Sequence, residues 1–174
     1  MVTIDLITGF LGSGKTTFLK KYAEYLMDQG LHIGILENDF GAINVDMLML
    51  HELRGDQCEL EMIAGGCDAE SHRRRFRTKL ISMRMCGYDR VLVEPSGIYD
   101  VDEFFDVLRE EPLDQWYEIG NVIAILDARL ENNLSQQADY LLASEAANAG
   151  KVILSHADAA TREQCEDLSL IHIS

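Results

Sequence analysis

Eight residues near the start of the chain, from Gly9 to Thr16, have types and spacing that suit phosphate binding. The segment is Gly-Phe-Leu-Gly-Ser-Gly-Lys-Thr, which fits the pattern G-x-x-x-x-G-K-[ST]. The glycines let main-chain N–H groups point at phosphate oxygens, the lysine reaches the β- and γ-phosphates, and the threonine hydroxyl coordinates Mg²⁺. We therefore predict a nucleoside triphosphate with magnesium, bound by Gly9, Gly12, Ser13, Gly14, Lys15, Thr16 and Thr17.

Acidic residues follow two other apolar runs. Glu94 comes directly after Val91–Val93, where phosphoryl-transfer enzymes of this kind place the group that holds magnesium or its water. Gly97 follows closely, and its N–H is expected to approach the γ-phosphate. Asp39 and Asp46 follow the second apolar run and are predicted to hold the metal shell or orient the attacking water. In each case the alternative, a solvated strand end or acidic loop, stays open.

The elements that position these segments alternate between strand and helix patterns. This alternation predicts βαβ units and an α/β fold, namely a three-layer P-loop NTPase fold with a mainly parallel central sheet. Residues 38–50 are predicted to form a loop that leads into a short apolar turn. The predicted strands are 2–7, 33–36, 58–63, 91–93, 122–126 and 152–154, and the predicted helices are 15–28, 71–85, one after Asp100, and 136–148.

Composition limits the function further. The chain has 174 residues, of which 47% are hydrophobic, and this length fits one domain, predicted over residues 1–168. The net charge of −15 argues against nucleic acid and an anionic membrane as partners. The four cysteines show no CxxC pairing, and no signal peptide or spanning stretch is visible, so free thiols and a cytoplasmic location are expected. We expect residues 169–174 to be a truncation end or a foreign tail.

Together these segments resemble the CobW/HypB/UreG family of P-loop GTPases, and the CobW branch most closely. The resemblance is carried by residues 9–17, by Glu-Asn-Asp-Phe-Gly (37–41) with Asp46, and by Glu-Pro-Ser-Gly (94–97), with residues 154–158 following in order. It implies a dimerising GTPase that hydrolyses GTP slowly with Mg²⁺. Its nucleotide state would control delivery of a metal or cofactor to a client metalloenzyme. Lys15, Asp39, Asp46 and Glu94 are the catalytic residues that it implies, with Thr16 and Glu94 at the magnesium.

The segment that reads the base departs from this family. Its usual form is Asn-Lys-x-Asp, whereas this chain has Ser155-His156-Ala157-Asp158. Asp158 is expected to accept from the guanine N1–H and N2–H₂, His156 to stack on the base, and Ser155 to be a weaker partner than Asn. Two hypotheses from other classes therefore stay open: an ATP-using small-molecule kinase or ligase, and a scaffold that binds nucleotide without hydrolysing it.

A second departure concerns the metal loop. Many CobW-like proteins carry Cys-x-Cys-Cys there, whereas residues 65–72 of this chain contain one thiol, Cys67. Cys67 with Glu70 or His72 would suit zinc or another borderline divalent ion, because sulfur, nitrogen and oxygen ligands all bind it. The alternative is a glycine-bounded turn in which Asp68 or Ser71 caps the next helix.

That next helix carries four arginines, a concentration that stands out in so acidic a chain. They could contact a nucleotide phosphate or an acidic partner across a dimer, and the alternative is an ordinary solvated helix face. The four residues are Arg73, Arg74, Arg75 and Arg77.

Overall fold

The computed structural model describes residues 1–9, 13–39, 45–64, 68–95, 101–127 and 150–156. The strands are β1 (Val2–Thr8), β2 (Ile33–Asp39), β3 (Cys58–Ala64), β4 (Arg90–Pro95), β5 (Tyr117–Asp127) and β6 (Lys151–Ser155). The helices are α1 (Lys15–Asp28), α2 (Val45–Leu50), α3 (Ala69–Arg84), α4 (Val101–Leu108) and α5 (Leu113–Trp116), and a 3-10 turn covers His51–Leu53. None of the helices within these ranges is both long enough and apolar enough to cross a membrane.

The six strands form one sheet in the order β3-β2-β4-β1-β5-β6. Every pair of neighbouring strands is parallel, as the alternation of strand and helix predicts. Because parallel strands all end at the same edge of a sheet, this order brings the ends of β1, β2, β4, β5 and β6 to one side of the molecule.

A hydrophobic core lies on each face of the sheet, because successive strand residues point to opposite sides. On one face, α1 packs Leu19, Ala23 and Leu26 against the sheet. On the other, Phe76 and Leu80 of α3 are buried together with side chains of α4. Helices thus cover both faces, which confirms the predicted three-layer α/β fold.

The predicted α1 has the boundaries that the structure shows, but several other predicted boundaries differ from the structure. Residues 38–50 are not all loop, because β2 continues to Asp39 and residues 45–50 form α2. Strand β5 begins at Tyr117 rather than at residue 122, since its polar first half pairs with the start of β1. The short helix α5 carried no periodicity that a sequence pattern could detect. The predicted helix 136–148 lies outside the described residues.

Candidate functional site

The carboxyl edge of the sheet collects polar residues from several strands. Thr8 ends β1, Glu94 and Pro95 end β4, Asp127 ends β5 and Ser155 ends β6. The Thr8 and Glu94 side chains are buried although they are polar. Ligands in open α/β sheets bind outside this edge, so these residues mark the candidate site.

The phosphate loop leaves β1 at Gly9 and enters α1 at Lys15. Gly14 is the N-cap of α1, with a left-handed φ of 92°, and no side chain caps this end of the helix. The first N–H groups of a helix lack intrahelical partners and carry the positive end of its dipole. This helix start therefore suits an anion such as a phosphate.

Two side chains from the first turn of α1 reach across to the end of β4. The Lys15 ammonium donates to the Pro95 carbonyl oxygen at 3.2 Å, and the Thr16 hydroxyl donates to Glu94 Oε1 at 2.9 Å. Both α1 residues are 7% exposed and Glu94 is 2% exposed. The structure thus brings together three of the residues predicted from separate motifs.

Magnesium fits this donor set. Mg²⁺ prefers hard oxygen ligands and is usually held by one or two carboxylates together with substrate phosphates. Thr16 and Glu94 supply a hydroxyl and a carboxylate within hydrogen-bond distance of each other, at the helix start where phosphate would bind. They would hold the ion or its water.

A second buried carboxylate, Glu37, lies beside Glu94; it belongs to the Glu-Asn-Asp-Phe-Gly segment (37–41), but the sequence predicts no individual role for it. Glu37 is 3% exposed and is the register partner of Glu94 between β2 and β4. In-register neighbours on parallel strands present their side chains on the same face, here the face that α1 covers. The available signal is an acidic residue directly after an apolar run, which is the same signal that identifies Glu94.

The start of the predicted base-reading segment contacts the phosphate loop directly. The Ser155 hydroxyl lies 2.5 Å from the Ser13 carbonyl oxygen and 3.2 Å from the Leu126 carbonyl oxygen. His156 has a left-handed φ of 54°, and its Nδ1 lies 3.3 Å from a carboxylate oxygen of Asp127. The Ser155 side chain at the end of β6 thus contacts both β5 and the phosphate loop.

The two described residues of the predicted zinc site have different environments. Glu70 is exposed, whereas His72 is buried and its Nδ1 lies 3.1 Å from Glu103 of α4. Cys67 lies outside the described residues, and within the described ranges no three His, Cys, Asp or Glu residues form a group that could hold a metal. The zinc site therefore stays a prediction.

The capping alternative for this loop is observed at the residue that starts α3. Asp68 is the N-cap, and its carboxylate accepts from the Ser71 N–H at 2.8 Å. These hydrogen bonds lower the pKa of Asp68, because they stabilise its charged form. A cap does not exclude a metal ligand in the preceding loop.

The remaining predicted residues receive no test from the geometry. Thr17 is described and is exposed. For Asp39 and Asp46 only the main chain is described, at the end of β2 and in α2. Gly12, Gly97 and Asp158 lie outside the described residues.

The chain is similar to known proteins over nearly its whole length. Residues 3–171 match the model of the CobW/HypB/UreG nucleotide-binding domain. Among curated relatives, the zinc chaperone YeiR of Escherichia coli is 28% identical over 164 residues, which cover 94% of this chain and 49% of YeiR. The zinc chaperone YjiA of Escherichia coli is 30% identical over 172 residues, which cover 91% of this chain and 50% of YjiA. The chain thus spans about half the length of these relatives.

Solved structures show the same fold. The zinc-bound YjiA GTPase of Escherichia coli superposes with a TM-score of 0.58 at 21% identity, covering 97% of this chain and 54% of that one. The hydrogenase maturation factor HypB of Archaeoglobus fulgidus gives a TM-score of 0.61 at 18% identity, covering 99% of this chain and 77% of HypB. The phosphate loop, the parallel sheet and the match over nearly the whole chain lead to one conclusion: the chain belongs to the CobW/HypB/UreG family.

Proposed function

We propose that this chain is the GTPase part of a metallochaperone, which binds GTP with Mg²⁺, hydrolyses it slowly and thereby controls delivery of zinc to a client metalloenzyme. One observation carries the nucleotide part of this proposal. The Thr16 hydroxyl from the phosphate loop donates to the buried Glu94 carboxylate at the end of β4, so two separate motifs meet at one site.

Catalysis in this proposal consists of positioning and charge neutralisation, since phosphoryl transfer requires little covalent chemistry from the protein. Bound magnesium supplies positive charge at the phosphates, and Thr16 and Glu94 hold it there. Lys15 adds a second positive charge, which its bond to the Pro95 carbonyl oxygen holds at the site before nucleotide binds. Asp39 and Asp46 are proposed to orient the attacking water.

Zinc is the proposed cargo rather than a fixed part of the GTPase site. The relatives YeiR and YjiA are named zinc chaperones, and the solved structure of YjiA holds zinc. Cys67, with Glu70 or His72, is the ligand set that we propose in this chain. A homodimer would let two such loops share one ion, which would compensate for the single thiol.

Calorimetry with GTP and with ATP, each with magnesium, tests the nucleotide. We expect GTP to bind more tightly, and we expect Asp158→Ala to remove that preference, because the acceptor for the guanine N–H groups is lost. Equal affinity for the two nucleotides in the wild type would contradict the GTPase proposal. An unchanged preference in Asp158→Ala would remove the role of Asp158 in reading the base.

Phosphate release and zinc titration test the remaining parts. We expect slow, magnesium-dependent release of phosphate from GTP, and a large decrease in Glu94→Gln. Tight binding without turnover, even with zinc present, would instead favour the scaffold hypothesis. Zinc should bind the wild type more tightly than Cys67→Ala, and identical zinc affinity in the two would contradict the proposed ligand set.

A further inference from the structure

Strand β6 ends beside the phosphate loop, where the predicted base-reading segment begins. Ser155 pairs in register with Asp127, so the ends of β6 and β5 lie side by side at the carboxyl edge of the sheet. The Ser155 side chain also lies over the phosphate loop, because its Cβ is 3.7 Å from the position that a Cβ on Gly14 would take. The residue that follows Ser155 is therefore held at the edge where the nucleotide is proposed to bind.

That residue, His156, has a main-chain conformation that is uncommon outside glycine. Its φ is 54°, in the left-handed region, which histidine adopts more often than most residues but still at a cost in conformational energy. Residues held in such conformations cluster at ligand sites. The His156 side chain is 39% exposed, so part of the ring is accessible to a ligand while the rest contacts the protein.

Two oxygen atoms lie close to one nitrogen of the His156 ring. Nδ1 is 3.3 Å from a carboxylate oxygen of Asp127 and 3.2 Å from the hydroxyl oxygen of Ser155. The Asp127 side chain is 17% exposed, so its contact with the ring is partly shielded from water. An ionised carboxylate can only accept hydrogen bonds, and Asp127 is therefore an acceptor toward Nδ1.

The Ser155 hydroxyl is also an acceptor toward the ring. Its single proton is directed at main-chain carbonyl oxygens, that of Ser13 at 2.5 Å and that of Leu126 at 3.2 Å. Carbonyl oxygens have no proton to donate, so these contacts use the serine proton and leave the serine oxygen to accept. Because both oxygens near Nδ1 accept, the His156 ring carries a proton on Nδ1.

We propose that Asp127 is a positioning residue for the base of the nucleotide and that it acts through His156. Its carboxylate holds the imidazole at Nδ1–H and fixes the orientation and the tautomer of the ring, which is thus in place to stack on a purine before the ligand arrives. A group that is ordered in advance loses less conformational entropy on binding. Asp127 has this role only if a nucleotide base binds at this edge, so the inference rests on the proposed function.

The held ring supplies affinity for a base without selecting one. A lysine, the usual residue at this position of the family segment, places a compact charge on a flexible stem, whereas an imidazole fixed at Nδ1 presents a flat aromatic face. Stacking on an aromatic face tolerates any base, because every base has a π-face. The contribution of Asp127 should therefore be the same for guanine and adenine nucleotides, and separate from the proposed reading of guanine by Asp158.

Calorimetry with three ligands tests whether Asp127 acts on the base. The ligands are non-hydrolysable analogues of GTP and ATP, and inorganic tripolyphosphate, each with magnesium. Tripolyphosphate has no base and therefore reports on the phosphate loop alone. Asp127→Ala removes the acceptor, and Asp114→Ala is the matched control, because Asp114 is exposed and lies just before β5, at the opposite edge of the sheet. Thermal unfolding checks that the variants fold, and Asp127→Asn replaces the alanine variant if that one does not fold.

A double-mutant cycle and an NMR measurement test whether Asp127 acts through His156. Asp127→Ala is combined with His156→Ala, since the effects of residues that act as a unit are not additive. Long-range ¹H–¹⁵N NMR spectra, recorded above the pH range in which imidazole titrates, show which ring nitrogen of neutral His156 carries the proton. Signals that are missing from the His156→Ala spectrum identify this residue.

We expect Asp127→Ala to weaken binding of both nucleotide analogues by about three- to tenfold and to leave tripolyphosphate binding unchanged. The Asp114→Ala variant should bind all three ligands as the wild type does. Asp127→Ala should cause no further loss when residue 156 is already alanine. The His156 proton should lie on Nδ1 in the wild type and shift toward Nε2 in Asp127→Ala.

Three results would each overturn the inference: an equal loss of tripolyphosphate affinity in Asp127→Ala, additive effects of the two substitutions, or a wild-type proton on Nε2. The proposed function has a different point of failure. Equal affinity for the GTP and ATP analogues, with Asp127 and His156 still coupled, would contradict the GTPase proposal alone. A preference for the GTP analogue that is accompanied by no effect of Asp127→Ala would contradict the role of Asp127 alone.

Discussion

The phosphate loop leaves β1 at Gly9, whose main chain passes so close to β5 that a side chain has no room. A Cβ at this position would overlap the Ile125 carbonyl oxygen, and the φ of 142° is one that only glycine adopts readily. The glycine is therefore needed to pack the loop against the sheet, in addition to any role in contacting phosphate.

Replacing Gly9 with alanine should destabilise the fold by more than conformational strain alone. Strain at a positive φ costs about 1–3 kcal/mol, and the clash with Ile125 adds to it. Gly30→Ala is the matched control, because Gly30 also has a positive φ of 82° but has nothing within 4 Å of its Cβ position. Urea denaturation measures both, and equal losses for the two variants would show that the clash contributes nothing.

Two cysteines in the described ranges differ in burial, and their reactivity should follow. Cys58 is buried and Cys86 is exposed, both as free thiols. Burial raises the pKa of Cys58 to about 11, so only about one molecule in a thousand carries the thiolate at pH 8. Iodoacetamide at pH 8 should modify Cys86 and spare Cys58, as read by peptide mass spectrometry. Equal labelling of the two in the native protein would contradict the burial of Cys58.

The same shift has a consequence for stability. The folded state keeps the Cys58 thiol protonated to a higher pH than the unfolded state does. The stability that results from this difference is complete below the ordinary thiol pKa of about 8.5 and is lost as the pH rises toward about 11. Cys58→Ala should flatten this part of the stability profile. A profile of the same slope in the variant would assign the loss to other groups.

Among the helices, α3 follows the proposed zinc loop in the chain and packs against α4, the helix that comes after the Glu94 motif. Its His72 contacts Glu103 of α4, and its Phe76 packs against Phe104, with 6.3 Å between ring centroids. Two of its arginines are not free for a nucleotide, because Arg73 and Arg77 both form ion pairs with Glu110. Part of this basic face is therefore engaged within the chain, where it holds α3 beside the end of α4.

Apolar packing, rather than these ion pairs, should hold α3 against α4. Phe104 is fully buried, and its replacement by alanine should cost about 3–5 kcal/mol of unfolding free energy. Glu110 is about one third exposed, so Glu110→Gln should have a small effect by comparison, since exposed ion pairs contribute little. Chemical denaturation of the two variants measures the difference. A Glu110→Gln loss as large as that of Phe104→Ala would reverse this ranking.

Elements with local sequence signals could be predicted, whereas elements that depend on distant residues could not. The phosphate loop and α1 could be predicted because their signals are local: glycine spacing, a lysine and helical periodicity. The early start of β5 could not be predicted in this way, because it depends on a contact with β1. There the buried Asp5 carboxylate accepts from the Asn121 N–H at 2.6 Å, across an irregularity in the pairing of β1 with β5. The proximity of Glu37 to Glu94 likewise depends on which strands become neighbours, and that is fixed by the whole sheet.

At the scale of the whole molecule, charge opposes folding. A net charge of −15 on 174 residues means that the compact state brings like charges together. The described ion pairs offset this only in part, because most of them lie at the surface, where such pairs contribute little. Dissolved salt screens the repulsion over a distance of about 10 Å at about 0.1 M.

The melting temperature should therefore rise as sodium chloride is added to a low-salt buffer. Salt screens both the repulsion and the attractive ion pairs, so the sign of the change in melting temperature shows which of the two dominates. Because the chain has twice as many acidic as basic residues, we expect repulsion to dominate. A variant with Lys21→Glu and Arg109→Glu replaces two positive charges with two negative ones and takes the net charge from −15 to −19, so its salt dependence should be steeper. Sucrose at matched osmolality controls for effects other than screening. A melting temperature that falls with salt would mean that ion pairs such as Arg90–Asp5, at 2.9 Å on a fully buried carboxylate, outweigh the surface repulsion.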